Sequence, residues 1–441
     1  MTHAVLDRLS PAARPLADDA MRRADEVFRT IDGGTPARRL FVPGRIEVIG
    51  KHTDYAGGRS LTCAVERGFA VSYAPRRDGL VRIFDAQDAR RAEFPVSPDL
   101  QPPVGIWSNY PMTVARRLAR NFTSVTRGAD IGFYSNLPRA AGLSTSSALV
   151  IAVFLALADV NQLDEDPLYI SEIGDEWRLA GYLGSIENGK AFLNLSGDHG
   201  VGTSGGSQDH TAILLSEAGR LGVYHYIPVS RTALIPLPED LTFVVASSGI
   251  AAAKTGSARE RYNRAASLVS TLVDRWRRAT GRNDVSLADA LASSPDAADQ
   301  LRALADQSDD PAERAALRAR LEHFLVEYGE LMPRAIDALN AGAFDEFGRL
   351  VDRSQEAAER LLGNQVAETS ALAALARING ALAASAFGAG FGGSVWALVE
   401  SATAEAFLTA WRRAYRSGHP KAGASSAFFI TRPGPGAGSV A

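Results

Sequence analysis

Apolar residues recur at helical spacing from Asp7 to Arg29, and from Arg39 to Ile49 the pattern changes to an alternation that predicts a strand ending at a glycine. From Val65 the segment VERGFAVSYAPRRDGLVRIFDA reads as two strands around an Asp78-Gly79 turn. Helical spacing returns over Trp107 to Asn121, a strand is expected at Asp130 to Ser135, and Ser146 to Ala158 is apolar enough to be a buried helix. A strand pair is expected around Thr211 to Tyr226. The proline-bearing stretch Ile227 to Pro238 then separates it from a fresh strand at Leu241 to Ser247, which puts a domain boundary near Val229 and divides the chain into 1–229 and 230–441. Ser286 to Leu321, rich in Ala, Asp and Arg, reads as solvated helices or an insertion without chemistry, and helices continue to Leu362. A glycine-rich loop at Gly388 to Gly393, a strand at Val395 to Val399, a helix around Ala402 to Ser417 and a last strand, AFFIT, complete the pattern. The tail PGPGAG is expected to fray.

Composition narrows what such a chain does. At 441 residues and 46% hydrophobic content it can bury a large core, with two domains the better expectation. A net charge of −3, from 47 basic and 50 acidic residues, gives no electrostatic reason for a nucleic acid or membrane partner. Cys63 is the only cysteine, which excludes an intrachain disulfide. The N-terminal stretch is broken by charges and prolines, and no apolar run reaches the roughly 18 residues of a membrane span, so a cytoplasmic enzyme is expected; it is further expected to be a monomer.

Four segments carry chemistry. No GxxxxGK[ST] loop is present, so phosphate must be held differently. Asn136 to Leu149, NLPRAAGLSTSSAL, ends a strand, turns on small residues and opens a helix among hydroxyls, the outline of an anion site at unpaired helix amides; an ordinary N-cap reads the same way. Pro43 to Gly58, PGRIEVIGKHTDYAGG, packs Arg, Lys, His, Thr, Asp and Tyr into a glycine-bounded loop, as binding loops do. GTSGGSQDH, Gly202 to His210, sets Asp209 after a small-residue run that permits close approach, or is an Asx-turn. FGAGFGGSVWALV, Phe387 to Val399, is a tight glycine turn before a buried strand.

In this order the segments resemble the galactokinase branch of the GHMP kinase family. Pro43–Gly58 is similar to the family's substrate signature PGRVNLIGEHTDYNGG, Asn136–Ala148 to its phosphate motif PxGGGLSSSA and Phe387–Gly393 to GAGFGG. WSNY at Trp107, ENGKAF at Glu187, RYNRA at Arg261, FGRLVDRS at Phe347 and AFFI extend the similarity to the C-terminus. The resemblance implies an α+β, two-domain GHMP kinase fold with an N-terminal ribosomal-protein-S5-like domain and a C-terminal ferredoxin-like domain, ATP and a sugar lying between them. It further implies that Asp209 takes the proton of the sugar hydroxyl, anomeric in galactokinases, and that Arg45 keeps Asp209 ionised and stabilises the alkoxide. Gly142, Leu143, Ser144, Thr145, Ser146 and Ser147 would cradle the ATP phosphates. Ser146 and Glu187 would hold Mg2+, and His52, Asp54 and Tyr262 would contact the sugar. The stretch from Glu187 to Asp209 is longer than in typical galactokinases.

The departures bear on the acceptor. Lys51 stands where the family has the glutamate facing the sugar's 6-hydroxyl, and Glu47 stands where it has asparagine. A lysine there favours a carboxylate or phosphate, as in a uronic acid; alternatively Lys51 pairs with Glu47 and galactose still binds. Ala140 and Ala141 replace two glycines of the phosphate motif, removing backbone freedom there. His199 and His210 lack a partner at metal-ligand spacing, so structural roles are expected. The competing readings are a non-catalytic sugar and ATP sensor, opposed by the retained Asp209, Arg45 and Ser146, and a mevalonate, homoserine or heptose kinase, where the HTDY loop weighs against the first two.

Overall fold

The structure is a computed structural model that describes residues 5–32, 34–138, 142–251 and 256–440. The calls on Ala140 and Ala141 lie outside these residues. Eight strands form the first sheet: β1 (Arg38–Ile49), β2 (Arg59–Pro75), β3 (Leu80–Asp85), β4 (Arg90–Pro95), β5 (Ala129–Ser135), β6 (Arg220–Tyr226), β7 (Val229–Pro236) and β12 (Gly438–Val440). The path runs β12-β1-β2-β5-β3-β4, with β6 and β7 continuing from β2. The long β2 serves two neighbours on one edge, β6 along Arg59–Thr62 and β5 along Phe69–Pro75. All pairs are antiparallel except β3 with β5. The second sheet is antiparallel in the order β11 (Ala427–Thr431), β8 (Leu241–Ser247), β10 (Ser394–Glu400), β9 (Ala383–Ala386).

Strand alternation decides how the sheets pack. In β8, Phe243 and Val245 join the main core, which runs from Val42, Ile46 and Val71 of the first sheet to Trp396 and Phe429 of the second. Val244 and Ala246 point the other way, against the helices Ala367–Ile378 and Ala404–Gly418, where Trp411 donates to the Leu372 carbonyl. One apolar core therefore fixes both sheets to each other.

Four sequence expectations change. Asp7 to Arg29 is two helices, Val5–Arg8 and Arg14–Asp32, parted at Ser10-Pro11. Thr211 to Leu215 is helical, within Gln208–Leu215, and only β6 of the expected pair is a strand; a short apolar run has no period that separates the two. The segment from Ser286 is not a solvated insertion: with the helix Gly256–Thr280 it buries Trp276, Leu287, Leu301, Leu317 and Phe324 in a core of their own that includes Ala56. The tail is not frayed, since Gly434 N donates to Ala64 O and β12 pairs with β1. β7 and β12 also belong to the first sheet, so the chain leaves that sheet after Pro236, beyond Val229, and returns to it at its end.

Candidate active site

β1 carries the site because its pairing with β2 is interrupted twice, between Pro43 and Arg45 and between Glu47 and Ile49. Bulges re-aim side chains, and residues two apart share a face. Arg45 and Glu47, 3% and 4% exposed, both line the central cleft. Arg45 Nε donates to Asp209 Oδ1 at 2.8 Å and its Nη1 donates to Gly142 O at 2.7 Å, so one guanidinium ties the first turn of the helix Gln208–Leu215 to the turn before the helix Thr145–Val160. Burial opposes the Arg45 charge, but Asp209 and Glu47 outweigh it and raise its pKa.

On the far side of Asp209, Ser147 Oγ lies 3.5 Å from Asp209 Oδ2 and donates to Glu187 Oε2 at 2.7 Å. His210 Nε2 is 3.1 Å from the same Glu187 oxygen, which places a histidine of expected structural role on the cleft wall. His199 is exposed. Glu187 lies in the last turn of the helix Glu176–Asn188, and the long segment after it is pinned: Asp198 pairs with Arg116 at 2.9 Å, and Asn188 Nδ2 donates to Gly205 O at 2.9 Å. It is Ser147, not Ser146, that faces Glu187; one residue turns a helix by about 100°, and the half-buried Ser146 does not line the cleft.

The phosphate motif is not closed by a conventional cap. Gly142 has φ +72° and Ser144 φ +57°, a left-handed turn that glycine adopts without strain, and the helix Thr145–Val160 has no side-chain cap bond. The hydroxyls of Ser144 and Thr145 are buried with no hydrogen-bond partner among the described residues. Such donors next to open helix amides suit an anion.

The loop after β1 contributes His52, Asp54 and Tyr55. His52 Nδ1 and the Tyr55 hydroxyl share a 2.7 Å hydrogen bond, and the Tyr262 ring lies 5.3 Å from the His52 ring. Asp54 accepts from the backbone at Gln208, and its burial raises its pKa. Lys51 does not join them. Its Nζ donates to Ser354 Oγ at 2.8 Å, and Ser354 in turn donates to Glu327 Oε1 at 2.9 Å, away from the cleft; Glu47, rather than pairing with Lys51, accepts from Gln208 Nε2. Glu327 sits in a π-helical turn, Leu325–Leu331, a geometry that redirects a side chain from the α-helical phase, and it also accepts from Gly50 N and Lys51 N. Arg320 donates to His52 O. Arg320, Glu327, Gln208 and Asn188 were not marked by sequence, because each acts through a backbone group or another side chain.

Gly388, from the closing glycine loop, lies against Glu47: a Cβ there would sit 2.4 Å from both carboxylate oxygens. Gly388→Ala is expected to cost about 1–3 kcal/mol through this overpacking, read as a lower denaturation midpoint.

Three family models match the chain in order: the galactokinase galactose-binding signature over residues 26–75, the GHMP kinases N terminal domain over 109–180 and the GHMP kinases C terminal domain over 335–417. The chain belongs to the GHMP kinases, in their galactokinase-like branch. The galactokinase of Chloroflexus aggregans is 29% identical over 396 residues, 88% of this chain and 90% of that protein. The galactokinase of a Roseiflexus species is 29% identical over 417 residues, 94% and 96% of the two chains. The crystal structure of Lactococcus lactis galactokinase complexed with galactose superposes with a TM-score of 0.76 at 24% identity, covering 94% of this chain and 98% of that one. Methanococcus jannaschii mevalonate kinase shares the fold more distantly, at TM-score 0.53 and 12% identity over 91% and 99%. The two-domain GHMP kinase fold expected from the sequence is thus the fold observed. Among the described residues no helix is long and apolar enough to cross a membrane.

Proposed function

We propose that this GHMP kinase is an ATP-dependent, galactokinase-like sugar kinase that transfers the γ-phosphoryl group of ATP to the anomeric hydroxyl of galactose or a closely related neutral sugar. The observation that carries the reading is the Arg45–Asp209 ion pair at 2.8 Å, in a cleft shared with the loop after β1 and with Ser147 and Glu187. The acceptor oxygen attacks the γ-phosphorus, the bond to the departing ADP oxygen breaks, and the acceptor's proton passes to Asp209 Oδ2, the oxygen not held by Arg45 Nε. Arg45 favours the ionised form of Asp209 and opposes the charge developing on the acceptor oxygen. His52, Asp54 and Tyr262 are positioned to orient the sugar, which matters because phosphoryl transfer depends on alignment more than on covalent help.

Mg2+ fits the residues present. Ser147 and Glu187 offer one hydroxyl and one carboxylate, and Mg2+ in nucleotide sites takes one or two protein ligands with phosphate oxygens and water completing the set. When bound it would neutralise charge on the β- and γ-phosphates, with Ser144, Thr145 and the open helix amides holding the same groups.

Coupled ADP release across a sugar panel tests the reading. Galactose is expected to outperform galacturonate, glucuronate and sugar 6-phosphates, because Lys51 is committed to Ser354. A chain that prefers a sugar acid refutes the neutral acceptor, and one that binds ATP and galactose without ADP release is a sensor.

A further inference from the structure

Glu47 is a site residue whose carboxyl group neither the ion pair nor the expected sugar contacts use. The residue is 4% exposed, yet it lines the cleft beside Arg45, Asp209 and Gly388. One oxygen, Oε2, accepts from Gln208 Nε2 at 2.5 Å. The other, Oε1, has no hydrogen-bond partner among the described residues. A buried carboxylate oxygen without a partner is costly, by about 1–3 kcal/mol or more, so its retention calls for a ligand group that completes it. The glycine at 388 leaves room for a carboxyl group at this spot, as a Cβ there would overlap it. The family signature has an amide here, which cannot change its charge.

The charges around Glu47 come from two elements. Arg45 and Lys51 on and after its own strand favour the anion, and Asp209 on the facing helix opposes it. The phenols of Tyr55 and Tyr226 feel the same carboxyl group from the loop and from β6. Burial is the largest influence and, against both cations, pushes Glu47 up to about 7. Glu47 therefore ionises at higher pH than an ordinary carboxyl group, while its neighbour Arg45 is committed to Asp209. Glu47, Asp54, Glu187 and Asp209 together line the cleft with carboxyl groups, a wall that repels an anionic acceptor and accepts hydrogen bonds from a neutral one.

We propose that Glu47 is an acceptor-contacting, specificity-determining residue whose carboxylate takes a hydrogen bond from a hydroxyl of the bound neutral sugar, so that sugar binding selects the ionised form. This rests on the kinase reading above. Raising the pH through about 7 ionises Glu47 and lowers the KM for the sugar, and sugar binding below that point releases a proton.

The test compares wild type with Glu47→Gln, and with Glu47→Asn should Gln not fold, using D-galactose as probe. The glutamine variant keeps shape and loses the charge. It is expected to raise the galactose KM about tenfold, the scale of a lost hydrogen bond to a charged group. It should flatten the pH dependence of that KM, narrow the preference for galactose over galacturonate, and leave the KM for ATP unchanged. Calorimetry of galactose binding to wild type in two buffers of different ionisation enthalpy should show proton release near neutral pH. A wild type that phosphorylates galactose without that proton release, with a substituted protein matching its KM at every pH, overturns the inference alone. A wild type that neither binds nor phosphorylates any neutral sugar overturns the kinase reading and the inference with it.

Discussion

Asp209→Asn lowers turnover by about two to four orders of magnitude, the usual contribution of a positioned general base, while the affinity for ATP stays where it was. The substitution preserves size and one oxygen, so Arg45 Nε keeps an acceptor at the position now 2.8 Å away, and the turn held by the Arg45 bond to Gly142 O is undisturbed. What disappears is the capacity to take a proton. Single-turnover phosphorylation of galactose, set beside binding of a fluorescent ATP analogue, separates the two. Turnover within tenfold of wild type would remove Asp209 from the chemistry, and a parallel loss of nucleotide binding would make it a structural residue of the phosphate turn.

Glu327→Ala is expected to have the largest effect on stability, about 3–5 kcal/mol. Glu327 is fully buried, and one of its oxygens accepts from Gly50 N at 2.8 Å, Lys51 N at 3.1 Å and Ser354 Oγ at 2.9 Å. Its removal leaves two buried amides without an acceptor and the Lys51 ammonium without a nearby anion on the Ser354 side. The loop after β1 would lose one tie to the helical layer and keep the bond from Arg320 to His52 O. Denaturant titration reads the loss, and Glu327→Gln should recover part of it by keeping an acceptor oxygen. A midpoint equal to wild type would show that the network adds nothing to the folded state. By the same geometry Lys51→Met destabilises and leaves the ratio of galactose to galacturonate turnover unchanged; a shift of that ratio would return Lys51 to the acceptor site.

What could be read from the residues alone was whatever the chain writes locally. The order of the glycine-bounded motifs pointed to the fold, and β8 and β11 fall on the strands expected at Leu241–Ser247 and AFFIT because alternating or short β-branched and aromatic runs between turn residues encode a strand directly. Arg45 and Asp209 stand 164 positions apart and were paired only through the family resemblance, and the structure brings them into contact. Side-chain direction was harder to read. Lys51 turns from the cleft because Ser354 and Glu327 arrive from helices about 300 positions later, a contact no local pattern records. Ser146 and Ser147 differ by a fraction of a helical turn, which a motif cannot resolve once the turn before the helix is left-handed. Glu47 was noticed as a departure from the signature, but its open oxygen depends on Gly388 and Gln208, both distant in sequence.

The returning strand β12 has a consequence for how the polypeptide is made and handled. Val440 packs against the cluster that holds Val5 and Leu6, and the strand bearing Arg45 gains its outer companion, β12, only after every other strand of both sheets has been made. Removing Gly438–Val440 should therefore damage the sheet that carries Arg45 rather than the second sheet, whose strands precede it in sequence.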